Sequence, residues 1–116
     1  MGMRTEKDSL VAIHPGEFLR EDFMNPLSLS INALALALRV PATRISEIVH
    51  ERRGITADTA IRLGIYFGTT PTFWMNMQMA YEMAVAEREL KPKIHQEVRR
   101  RIKTERGNAG RMKRSA

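Results

Sequence analysis

A chain of 116 residues, 43% of them hydrophobic, has about one domain's length and enough apolar mass for a buried core. It has no cysteine, which excludes disulfides and thiol chemistry, and its longest apolar stretch, residues 31–38 interrupted by Asn32, is far too short to span a bilayer. The net charge of +6 sits in the tail: residues 91–116 hold 10 Lys/Arg against 2 Glu, so the remainder is slightly acidic.

Residues 1–12 read as a lead-in, with Leu10, Val11 and Ile13 as candidates to pack on the core. This stretch has acidic residues and no apolar segment of signal-peptide length, so a cytoplasmic location is expected. His14-Pro15-Gly16-Glu17 reads as a helix start, because proline suits the first helical position and an acid suits the positive end of the dipole. Phe18, Leu19 and Phe23 form its buried stripe, and Met24-Asn25-Pro26-Leu27 closes it. Ser30 then caps a second helix with Ile31, Leu34, Ala35 and Leu38 on one face. Arg39-Val40-Pro41 ends it, since the residue before proline avoids the α region. A third helix, Ala42 to Val49, has Ile45, Ile48 and Val49 apolar and Ala42, Thr43, Arg44, Ser46 and Glu47 on the solvent face. Two short helices around a tight turn, the second with a polar outer face, form a helix-turn-helix pattern.

Gly54 reads as a loop residue. Thr56 caps a fourth helix, whose expected inner face is Ala57, Ala60, Ile61, Gly64 and Ile65 or Phe67. Thr70-Pro71 opens a fifth, running to about Leu90. Lys91-Pro92-Lys93 reads as a break. Ile94, Val98 and Ile102 then lie four apart on a basic helix pattern expected to end near Gly107, and residues 107–116 read as a flexible basic end. No strand-period segment or internal repeat is present. The expected architecture is all-α: lead-in 1–12, a five-helix domain over 13–90 with a dimerisation helix at 71–90, and a basic extension over 91–116.

A major groove accepts one helix, whose first residues reach base edges. Thr43 suits a base or a thymine methyl, Glu47 a cytosine amino group, and Arg44 a guanine or a phosphate. Ser46, with Ser30, Asn32, Arg39, Arg52 and Arg53 around it, suits the phosphate backbone. Arg39 to Arg62 includes five arginines against three acids, enough for a local positive patch. His14, His50 and His95 are dispersed, no metal-ligand spacing or phosphate loop occurs, and no nucleophile–base pair stands out. The expectation is therefore no enzyme, no metal and no cofactor. On the fifth helix, Trp74, Met77, Tyr81 and Val85 suit the domain core, while Met75, Met79 and Met83 fall on another face. A helix apolar on two faces needs two neighbours, so Trp74, Met75, Met79 and Met83 are candidate homodimer residues.

Several strings together carry a resemblance. His14-Pro15-Gly16-Glu17-Phe18-Leu19, Leu27-Ser28-Leu29-Ser30, Arg44-Ile45-Ser46-Glu47-Ile48, Arg53-Gly54-Ile55-Thr56-Ala57-Asp58, and the ending Thr70-Pro71-Thr72-Phe73-Trp74-Met75-Asn76-Met77-Gln78 resemble the HigA/VapI antitoxins. These are helix-turn-helix proteins of the XRE, lambda-repressor-like superfamily, and the match spans about residues 13–88. The resemblance implies a dimer that binds double-stranded operator DNA, represses its own operon, and neutralises a RelE/HigB-like mRNA-cleaving toxin. It places the base-readers at Ala42, Thr43, Arg44 and Glu47. Arg39 stands where a glycine commonly ends the preceding helix, and His50-Glu51 replaces a common Asn-Gly. A repressor without a toxin partner, and a protein-interaction module that has lost DNA binding, are the alternatives. The basic extension suits DNA or dimer roles better than contact with a basic toxin.

Overall fold

The computed structural model describes residues 13–102. Within them the elements are α1 (Pro15–Phe18), which runs into a π-helical turn (Leu19–Met24), then α2 (Ile31–Leu38), α3 (Ala42–Val49), α4 (Ala57–Phe67), α5 (Pro71–Glu89) and α6 (Lys91–Glu97), with no strand among the described residues. The starts follow local chemistry. Ser30 Oγ accepts from the Ala33 amide at 3.0 Å and Thr70 Oγ1 from the Phe73 amide at 3.1 Å, each satisfying a first-turn donor the helix cannot. Pro15 and Pro71 occupy the opening turns of α1 and α5.

The core is contributed by every helix up to α5. Leu19 and Met24, Leu34, Ala35 and Leu38, Ile45, Ile48 and Val49, Ala60 and Leu63, and Trp74 are all buried. In the π-helical turn the Asn25 amide donates to the Arg20 carbonyl, five residues back, at 2.9 Å. The wider turn lets Leu19 and Met24 both face inward, a departure from the plain helical stripe expected of this stretch. Phe18, Phe23 and Phe73 ring the Trp74 indole, Phe23 and Phe73 each with its ring centre 5.1 Å from that of Trp74, and Phe67 packs in turn on Phe23 at 4.8 Å.

Two faces differ from expectation. On α4 the buried residues are Thr59, Ala60, Leu63 and Gly64, while Ala57 is exposed and Ile61 and Ile65 point outward. The inner face is rotated because Gly64 packs flush against the Thr69–Pro71 backbone, where a Cβ would meet the Thr69 oxygen at 2.8 Å. On α5, Trp74 is wholly inside the protomer and its Nε1–H donates to Thr69 Oγ1 at 2.7 Å, so it is a core residue and not a dimer contact. Met75 packs partly on the same core. Met79 and Met83 are exposed.

The basic helix is also shorter than expected. The chain bends at Leu90, α6 includes Lys91–Lys93 rather than starting beyond them, and it stops at Glu97, with Val98 already extended. Ile94, Val98 and Ile102 are exposed, and a short helix with no packed face is marginal. The readings of residues 1–12 and 103–116 lie outside the described residues.

His14 combines burial with a proton-sensitive cap. Its Nδ1 accepts from the Gly16 amide at 2.8 Å, and its ring meets Tyr81 edge-on at 4.7 Å. Burial lowers its pKa below 6.5, against the opposing pull of Glu51 and Glu17. A depressed histidine pKa means the native state holds fewer protons than the unfolded chain. Its stabilisation is therefore complete above about pH 6.5 and is lost as pH falls through the lower folded value. Urea unfolding at about pH 7.5 and about pH 5.5 should show the wild type losing stability on acidification. His14→Asn, which keeps a capping acceptor but does not titrate, should lose less over the same interval.

Candidate nucleic-acid interface

The two helices of the helix-turn-helix occupy the intervals read from sequence, and the turn between them is made by Arg39 in the left-handed region (φ 61°), whose amide closes on Ala35 and Leu36 carbonyls. Glu51, just beyond α3, is likewise left-handed at φ 62°. Both are positions where glycine would be unstrained. The departures from Gly at the turn and from Asn-Gly after α3 therefore coincide with left-handed backbone.

The first turns of α2 and α3 open together on a shallow groove of about 450 Å³ lined by Ser30, Ile31, Asn32, Ala42, Thr43 and Ser46. Asn32 and Thr43 are exposed, Ser46 is half-buried, and Ala42 packs partly on the core. The α3 N-cap is Pro41, which has no polar side chain to turn onto the first-turn amides. A positive dipole end thus faces the groove without a side-chain cap of its own, an arrangement that suits an anion.

The arginines are less available than their number implied. Glu47 pairs with Arg53 at 2.9 Å. Arg44 and Arg62 share Asp58, at 2.8 and 2.7 Å, and the hydrogen bonds from Arg62, then Arg44, hold that carboxyl below its usual range. Arg39 and Arg52 remain exposed outside these pairs. Ser46 Oγ lies 3.4 Å from His50 Nδ1, and that ring nitrogen is 2.7 Å from the Ser46 carbonyl, so it carries the proton. The structure therefore brings Ser30, Asn32, Ala42, Thr43 and Ser46 to one groove, with Arg44 turned away towards α4 and Glu47 engaged by Arg53.

Sequence reasoning missed the residues that hold α3 in place. Arg20 donates through Nη1 to the Val49 carbonyl at the C-terminal end of α3, where a cation also complements the dipole, and it pairs with Glu51 at 3.7 Å. Gly16 rests against the Ile48 carbonyl. The buried Gln78 accepts from the Ile55 amide at 2.7 Å and donates to Glu82 at 2.8 Å, tying the loop after α3 to α5. The Gln78 bond to Ile55 and the Arg20 bond to Val49 span 23 and 29 residues, beyond the reach of any local pattern.

No protein-family model matches the chain. Over 89 residues it is 53% identical to virulence-associated protein I of Dichelobacter nodosus, a match covering 77% of this chain and 82% of that protein. The Pseudomonas aeruginosa antitoxin HigA, solved with the higBA promoter, is 46% identical, with a TM-score of 0.75 over 78% of this chain and 99% of that one. The chain belongs to the HigA-type family of helix-turn-helix antitoxins and regulators. A further HigA-type structure, the antitoxin GraA in complex with its operator, is 41% identical with a TM-score of 0.75, covering 89% of this chain and 97% of that one. The HigA-type family consists of antitoxins and transcriptional regulators, which are not enzymes. Among the described residues no cluster of His, Cys, Asp and Glu could hold a metal ion, and no helix is long and apolar enough to cross a membrane.

Proposed function

We propose that this chain is the antitoxin of a toxin–antitoxin pair and a dimeric repressor of its own operon, binding operator DNA through the groove at the start of α2 and α3. The observation that supports this most directly is the convergence of two helix N-termini with Ser30, Asn32, Thr43 and Ser46 on one open face. Thr43 reaches base edges, and Ser30, Asn32, Ser46, Arg39 and Arg52 hold phosphates. The HigA and GraA structures, solved with promoter and operator DNA, place relatives of the same fold on such partners. Exposed Met79 and Met83 on α5 supply the face for a second copy, and a two-fold dimer would set two α3 helices about one duplex turn apart. The neutralised partner is a RelE/HigB-like toxin.

The test is a gel shift with the DNA upstream of the chain's own gene, together with co-purification from the native gene pair. Promoter DNA should be retarded in preference to scrambled DNA, with affinity falling as salt rises. Arg52→Ala should reduce the slope of log affinity against log salt by about 1 and leave base preference unchanged. Equal retardation of both DNAs removes operator recognition. Promoter binding with no toxin eluting alongside the chain favours the stand-alone repressor instead.

A further inference from the structure

Arg44 stands in the first turn of α3, where its position alone would make it a base-reader, yet its guanidinium folds back onto α4. Its Nη1 donates to Asp58 Oδ1 at 2.8 Å and lies 3.4 Å from Thr59 Oγ1. The same carboxylate oxygen accepts from Arg62 Nε at 2.7 Å, and Arg62 Nη1 donates to the Leu38 carbonyl at 2.9 Å, on the last residue of α2. One continuous chain of bonds thus joins the end of α2, the first turn of α4 and the first turn of α3. Asp58 is well placed for this, since a carboxylate in the first turn of α4 faces the positive end of that helix.

We propose that Asp58 is a specificity-determining residue of the DNA-binding face: it keeps Arg44 on α4 in the operator complex, so that Arg44 positions α3 instead of touching DNA. This rests on the operator-binding reading above. Three features carry it. The groove at the helix N-termini is lined by the residues on either side of Arg44 in α3, Thr43 and Ser46 among them, but not by Arg44. Arg44 is bonded at a charge-assisted distance to a carboxylate that also accepts from Arg62, which is itself held by the Leu38 carbonyl, so the acceptor is anchored. Moving Arg44 to the duplex would also leave the Asp58 charge with one cation fewer beside the phosphate backbone. A mobile arginine near the groove binds any phosphate, which raises affinity for all sequences alike. Holding it away leaves discrimination to the groove-lining side chains of α3, Thr43 first among them.

The experiment compares wild type, Arg44→Ala, Asp58→Asn and the double variant. Each is measured by fluorescence anisotropy on the chain's promoter DNA, on the same DNA with single base-pair changes, and on scrambled DNA, over a salt series. Thermal unfolding of the free proteins is measured in parallel. Arg44→Ala is expected to keep the wild-type base preference while lowering Tm. Asp58→Asn is expected to bind scrambled DNA more tightly, with a salt slope steeper by about 1, as a freed Arg44 reaches a phosphate. That gain should vanish in the double variant, and the two Tm losses should be less than additive. Relaxed preference at one base pair in Arg44→Ala overturns the proposal, because Arg44 would then be reading that base. A gain from Asp58→Asn that persists without Arg44 overturns it too, as a bulk charge effect. A wild type that does not distinguish promoter from scrambled DNA overturns the operator reading and this proposal together, whereas the two preceding outcomes leave the operator reading standing.

Discussion

Replacing Gly16 with alanine should unfold the contact between α1 and α3. A Cβ built on Gly16 would sit 1.7 Å from the Ile48 carbonyl oxygen and 2.7 Å from its carbon. Both are backbone atoms, so no side-chain rotation relieves the clash, and either α1 or the end of α3 must move. The movement would also strain the His14 Nδ1 cap, whose donor is the Gly16 amide, and the Arg20 bond to the Val49 carbonyl a turn later. Overpacking a well-filled interior typically costs about 1–3 kcal/mol, and a backbone-to-backbone clash with coupled hydrogen bonds belongs at or above the upper end. The expected result in urea is a midpoint far below wild type, with operator binding lost even where helical circular dichroism persists. A loss within about 0.5 kcal/mol, the range of an ordinary surface change, would show that α1 does not seat on α3 as described.

What was legible beforehand was whatever lies within one turn of the chain. Ser30, Pro41, Thr56 and Thr70 mark helix starts through bonds or dihedral limits spanning two or three residues, so the helix-turn-helix boundaries could be read directly. The groove residues Thr43, Asn32 and Ser46 were legible for the same reason, since their place on each helix follows from the caps. What orients them was not. Asp58 fits the positive end of the α4 dipole, a local property, while its larger role is to join Arg44 and Arg62, and the first of these is 14 residues away. A count of arginines over 39–62 accordingly overstated the positive patch, because composition does not register which charges meet. The α4 face shifted for a similar reason: Ile61 and Ile65 are the more apolar choice by periodicity, but the close approach at Gly64 turns the helix so that Thr59 and Leu63 go inward. The basic helix, in turn, was read from its own stripe, and a stripe without a surface to dock on sustains only one short segment.

Trp74 is the position where packing and assembly were hardest to separate, and its truncation tests the separation. Methionines surround it in sequence, and an amphipathic reading allowed the whole group to face a second copy. In the fold the indole is fully buried, ringed by Phe18, Phe23 and Phe73, and bonded through Nε1 to Thr69. Trp74→Ala should therefore cost about 3–5 kcal/mol, the usual range for deleting a large buried aromatic, from a domain whose whole stability is of order 5–15 kcal/mol. The loss should appear at every protein concentration, because it comes from the protomer interior; a loss confined to dilute samples would instead place Trp74 at an interface. Unfolding must be followed by circular dichroism, since Trp74 is the chain's single tryptophan. Trp74→Phe should fall between the two, keeping much of the ring packing while leaving Thr69 Oγ1 without its indole donor. By contrast, Met79→Glu with Met83→Glu should leave the protomer folded, because both side chains already face outward on α5, and should lower the mass measured by light scattering if that face joins two copies.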